Sequence, residues 1–211
     1  MGLLLDHLEA SGLDRDTVII FTADHGDMMG DFGLLFKNKM YESSVKVPFI
    51  IRHPDFTGGK RTNSLTSHLD FLPTILDIAG TAEPSLPGSS LLPLLDDPAL
   101  ALHDAVFSEI YLFEPSDVKK IARSERAKRG EIAFAREKTD MHVRLMMRNQ
   151  QYKCIRRGQG LRVDETELYD LLNDPEELYD LSCDSGLEPV MTAMTAKLDD
   201  FQKTQYRALA T

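Results

Sequence analysis

The chain is poor in cysteine. Its two residues of that type, Cys154 and Cys183, stand far apart and lack the close spacing of a zinc site. They dictate neither a disulfide framework nor a structural metal centre, and they leave the cellular compartment open. Long apolar runs are missing as well. No stretch reaches the roughly twenty residues that span a bilayer, and the opening MGLLLDHLEASG is interrupted by Asp6, His7 and Glu9, the pattern of an amphipathic helix rather than a signal peptide. Positive charge is in deficit: 24 Lys and Arg face 34 Asp and Glu, for a formal charge of -10. That balance disfavours a nucleic-acid backbone as the main partner. The one basic stretch, Lys119 to Lys138, holds eight Lys or Arg against three Glu and reads as a solvated, partly helical insertion.

What is present indicates a globular α/β protein. At 211 residues and 42% apolar, the chain can fill one large core or one and a half domains. Leu4, Leu5 and Leu8 share one face of a first helix, which Gly12 stops. Thr17 to Phe21 is a short β-branched run without polar alternation, as expected of a parallel strand covered on both faces, and Pro48 to Arg52 repeats it. Ser67 to Ile78 predicts a helix with Asp70 near its start, Pro73 in the first turn and Gly80 as the stop. Ala105 to Tyr111 predicts another strand.

After about residue 112 the character changes. Val143 to Met147 and Tyr152 to Arg156, joined by Asn149-Gln150-Gln151, predict an antiparallel hairpin. Asn173-Asp174-Pro175-Glu176-Glu177 has the form of a helix start, with Asp as cap and Pro at the first helical position. Met191, Met194, Leu198 and Phe201 recur at three- and four-residue steps, the packing face of a last helix. The expected organisation is 1–112 as part of an α/β domain, 113–140 as basic insertion or linker, and 141–211 as a small α+β subdomain.

The chemistry gathers behind the first strand, in FTADHGDMMGDFGLLFKNKMYE. In open α/β sheets ligands collect beyond the carboxyl ends of strands, and Asp24-His25-Gly26 follows Phe21 at such an end. A carboxylate and an imidazole on adjacent residues can share one cation if the backbone turns sharply, which Gly26 allows. Three residues alone equally describe a turn cap and a hydrogen-bonded loop histidine.

The wider pattern narrows the choice. Lys37 follows the Gly30-Asp31-Phe32-Gly33 step, and Tyr41-Glu42 precedes the VPFIIR strand. Together with LTSHLDFLPTILDIAG, PGSSLLPLL and ELYDLLNDPEELYDLS, in that order, the chain resembles the sulfatase family of the alkaline-phosphatase superfamily, in its carboxyl-terminal portion. The resemblance implies an alkaline-phosphatase-like mixed, mostly parallel sheet flanked by helices, followed by a small antiparallel sheet and helix. It also implies a calcium-dependent hydrolase of sulfate monoesters, with Asp24 and His25 as metal ligands and Lys37 touching the sulfate oxygens. Tyr41 and Glu42 then serve as scaffold for the Lys37 loop, and Phe32 stands where many family members carry His.

One departure is an absence. The family's formylglycine nucleophile arises from Cys or Ser in Cys/Ser-x-Pro-x-Arg, and no such segment occurs here. The amino-terminal Asp-Asp metal pair has no counterpart either. The expectation is half a site in an incomplete sulfatase chain that is inactive alone, with exposed sheet edges open to self-association. Alternatives from the same residues are a phosphodiesterase or phosphonate monoester hydrolase of the superfamily, or a noncatalytic binding domain.

Overall fold

A computed structural model describes residues 1–81, 85–112, 142–159 and 162–208, excluding the side chains of 205–208. The basic stretch from Lys119 to Lys138 lies outside the described residues. Along the chain run α1 (Gly2–Ser11), β1 (Ile19–Thr22), the single turn α2 (Glu42–Val45), β2 (Phe49–Arg52), α3 (Phe71–Ile78), α4 (Leu92–Asp96), β3 (Val106–Leu112), β4 (His142–Arg148), β5 (Tyr152–Gln159), β6 (Arg162–Asp170) and α5 (Glu188–Ala208). They fall into two units, one of Met1–Asp27 and Lys46–Asp104, the other of Met28–Val45 and Ala105–Thr211.

In the first unit, Gly12 closes α1 with φ of 72°, the left-handed stop its sequence predicts. β1 and β2 form where expected, but they pair antiparallel, Ile19 opposite Arg52 and Thr22 opposite Phe49. An apolar run reports burial rather than direction; the route of the connecting chain sets direction, and every strand pairing among the described residues is antiparallel. Phe21 and Ile50, opposite each other in this pair, remain 41% and 60% exposed.

Fully buried Asp70 closes the 3-10 turn, His68–Asp70, that leads into α3. Its Oδ2 accepts from the Ser67 amide at 2.7 Å, closing a capping box, and its Oδ1 accepts from the Ser89 amide and faces His103 Nε2, both at 2.9 Å. Thr74, also fully buried, donates to the Asp70 carbonyl at 2.6 Å and accepts from the Leu91 amide at 2.9 Å. Gly88 sits at φ 90°, and a Cβ there would meet the Leu69 carbonyl oxygen at 2.3 Å, so only glycine lets this turn approach α3. The Asp-x-x-Pro-Thr and Gly-x-Ser-Leu segments are thus one interlocked structural device.

The second unit is an antiparallel meander in the order β3-β4-β5-β6. The side-chain oxygen of Asn149 accepts from the amides of Gln151 and Tyr152, at 2.9 and 2.6 Å, and fixes the predicted hairpin. Period-two alternation sends Val143, Leu145 and Met147 to one face, where Met194 and Leu198 of α5 cover them, and Met146 to the other. Phe201 stacks on Phe107 with centroids 4.7 Å apart. Cys154 lies in this core, and burial pushes its thiol up to about 11, which makes it a packing residue rather than a nucleophile.

Two features of this unit depart from the sequence reading. Strand β6 was not foreseen, because Asp164, Glu165 and Glu167 mask its alternation. The expected helix start at residues 173–177 is a turn. One bond from the Glu177 amide to the Asp174 carbonyl forms at 3.1 Å, and Glu177 then takes φ of 59°, which no helix continues.

Leu198 is fully buried against β4, β5 and β6. Leu198→Ala is expected to lower unfolding free energy by about 2–5 kcal/mol, read as a lower urea midpoint with unchanged slope.

Candidate functional site

Where β1 ends, Asp24 and His25 turn toward each other. The Asp24 Oδ1 accepts from the His25 amide at 3.0 Å, and Oδ2 lies 3.3 Å from His25 Nε2. Asp24 is 85% exposed and His25 36%. On the far side of the ring, Nδ1 sits 2.7 Å from the carbonyl oxygen of Gly26. A carbonyl only accepts, so Nδ1 carries the hydrogen, and a neutral ring then directs the Nε2 lone pair at Asp24. A carboxylate oxygen and an imidazole nitrogen so placed are of the kinds that ligate one cation together.

The donor pair therefore fits a divalent cation in kind. It supplies only part of a coordination shell: among the described residues no group of three or more His, Cys, Asp or Glu converges as metal ligands. The Gly26 carbonyl is taken up by the His25 ring. The left-handed backbone angles of this stretch fall downstream, at Met29, Gly30, Phe32, Gly33 and Phe36.

Those residues belong to the second unit and shape the loop that carries Lys37. The Met28 amide donates to the Phe36 carbonyl at 3.0 Å and the Gly30 amide to the Leu34 carbonyl at 2.9 Å, closing the loop on itself. Three non-glycine residues with φ of 49°, 55° and 68° in nine positions is a concentration of backbone strain of the kind found at functional sites. Phe32 stacks on Tyr41 at 4.5 Å, and Ser43 donates to the Asp31 carboxylate. Lys37 itself is exposed, and its carbonyl accepts from the buried Ser44 hydroxyl at 2.7 Å.

Beneath the loop lies a buried set of charges that sequence reasoning did not find. Lys153 of β5, wholly inaccessible, places Nζ 2.9 Å from Glu42 Oε1 and 2.8 Å from Glu177 Oε1. Arg148 Nη1 contacts Glu42 Oε2 at 2.5 Å, and the Glu42 amide donates to Glu177 Oε2 at 2.6 Å. Burial raises the Glu177 carboxyl above its ordinary value, a shift that Lys153 opposes. Alongside, the Tyr41 and Tyr169 hydroxyls both donate to Glu167 at 3.2 Å. Lys39, on the Lys37 segment, is held below its usual lysine value by partial burial and then by Arg144 and Arg157. Nothing local marked the buried set in advance, because Lys153 shares its strand with Arg156 and Arg157 and reads as one more polar position.

A carboxyl raised on folding favours the folded chain when protonated. That contribution is complete below the unfolded value of 4.5 and is lost as pH rises through the higher folded value. Urea midpoints measured upward from pH 4.5 are therefore expected to fall less steeply in Glu177→Gln than in the parent chain.

The chain is similar to known proteins along almost its whole length. The Sulfatase family pattern matches residues 1–81. The N-acetylglucosamine-6-O-sulfatase of Bacteroides thetaiotaomicron is 29% identical over 209 residues, 98% of this chain and 34% of that protein. A solved structure in complex with its substrate, D-glucosamine-2-N,6-O-disulfate, superposes with a TM-score of 0.73 at 27% identity, covering 98% of this chain and 38% of the other. The phosphonate monoester hydrolase of Agrobacterium radiobacter superposes at 0.75 with 28% identity, covering 97% and 38%. The chain spans about a third of the length of the relatives described here. Its α/β fold is alkaline-phosphatase-like, and over the portion that it shares with these relatives the chain is similar to the sulfatase family.

Proposed function

We propose that this chain forms part of the active site of a sulfuric ester hydrolase that cleaves a sulfate monoester of a small molecule or carbohydrate. The observation that carries the reading is the Asp24–His25 pair at the end of β1, its carboxylate and imidazole held 3.3 Å apart in a chain similar to sulfatases. In sulfuryl transfer, charge spreads over the oxygens that do not bridge to the leaving group, and fixed cations aimed at them hold it better in the transition state than in the ground state. Asp24 and His25 would hold a divalent cation, calcium in this reading, and such an ion supplies Lewis-acid neutralisation of that charge when bound. Lys37, carried by the strained loop, is the residue of this chain whose ammonium would stabilise charge on such oxygens. No step is assigned to a nucleophile of this chain: neither cysteine lies in Cys/Ser-x-Pro-x-Arg, and Cys154 is locked in the core.

A second reading is favoured by the likeness to a phosphonate monoester hydrolase, since tetrahedral anions share charge and shape. Turnover of aryl sulfate against aryl phosphonate separates the two in a complete enzyme.

Two measurements test the proposal. Calcium is expected to bind with a Kd below about 1 mM and to raise Tm, by titration calorimetry and thermal melts, and Asp24→Asn with His25→Ala is expected to remove both effects. Unchanged affinity in that double variant would refute the ligand assignment. With aryl sulfate and calcium, the 211-residue chain is expected to show no turnover; calcium-dependent hydrolysis abolished by Lys37→Ala would overturn the reading of a partial site.

A further inference from the structure

The buried charges under the Lys37 loop connect to that lysine through an unbroken series of contacts. Lys153 binds Glu42 and Glu177 at once; Glu42 opens α2; Ser44, two residues on and 2% exposed, donates to the Lys37 carbonyl. Glu177 reaches the same turn from the other direction, accepting from the Glu42 amide. Two carboxylates face two cations, Lys153 and Arg148, so the set is balanced in charge. Ion pairs this deep add little net stability, and apolar residues of similar size often replace them without loss. What an apolar residue lacks is the ability to specify one register. A compact ammonium on a flexible stem, with three donors, can join carboxylates from two distant segments at a defined point.

The Lys37 loop needs such specification. Met28 anchors one end of the loop in full burial, but Met29, Leu35 and Phe36 are 82%, 66% and 70% exposed, so the stretch leading to Lys37 has little apolar packing. Three of its non-glycine residues hold left-handed backbone, which persists where surrounding structure imposes it.

We propose that Lys153 is a positioning residue for Lys37: by clamping Glu42 and Glu177 together it fixes the α2 turn, and through Ser44 it fixes the backbone from which the Lys37 ammonium projects. The catalytic meaning of this clamp rests on the sulfatase reading of Lys37; the clamp itself does not.

Hydrogen exchange with mass spectrometry on the 211-residue chain tests it. In the parent chain the amides of residues 38–45 are expected to be protected to the same order as those of β5. Lys153→Met is expected to speed their exchange about tenfold or more, with β4 and β6 changing less. Adding Glu177→Gln, which removes the charge left unpaired, is expected to restore Tm while exchange at 38–45 stays fast, an outcome that a purely stabilising role would not give. Ser44→Ala, which leaves the charges intact, is expected to speed exchange at 37–40 alone. The clamp is overturned if the parent segment exchanges as freely as an unfolded peptide, or if Ser44→Ala changes nothing. It is equally overturned if the Lys153→Met effect spreads evenly over the unit and disappears together with the loss of Tm. A confirmed clamp combined with unchanged calcium affinity in the Asp24 and His25 double variant would retain this inference and discard the sulfatase assignment of that pair.

Discussion

One ammonium group joins three separate segments of the second unit. Lys153 is the point where a strand in the middle of a meander, a one-turn helix and a left-handed turn meet, and each of these three has no independent reason to stay where it is. α2 is too short to be stable in isolation. Glu177 sits in a conformation that L-residues avoid. Burying a lysine in β5 is unfavourable unless its charge is answered. Each becomes tolerable because the others are present, and removing one partner would leave a buried charge with an incomplete set of contacts.

The first unit solves a similar problem with neutral chemistry and one carboxylate. Asp70 and Thr74 are fully buried, yet their oxygens meet amides or a histidine at hydrogen-bond distance, so burial leaves no group unanswered. Family-like segments separated by some fifteen residues turn out to be two halves of one lock, with Gly88 providing the clearance. Residues that look chemical in a sequence can therefore owe their identity to support rather than reaction.

The sequence carried the fold wherever periodicity or turn chemistry was strong. The α5 stripe of Met194 and Leu198, the Asn149 hairpin and α3 ahead of Gly80 all stand where the pattern puts them, because each is set by local spacing. Strand direction in β1 and β2 was not legible, since burial of both faces does not encode it. At residues 173–177 the local signal for a helix was genuine and lost to a tertiary one: Glu177 is drawn inward by Lys153, a partner 24 positions earlier that no local window contains. The contact between Asp24 and His25 follows from adjacency. The supporting charges of Lys37 were not legible, because their partners lie more than a hundred residues away in the chain.

That separation orders events in time. The Glu42 amide and the Glu177 carboxylate are 135 positions apart, and a ribosome emits them in sequence, amino end first. Everything from α1 to β5 has been synthesised before the last member of the clamp is added. The loop closure is long and its entropic demand correspondingly large, so during translation the Lys37 segment has to wait, unanchored, for its far-off acidic partner to be made.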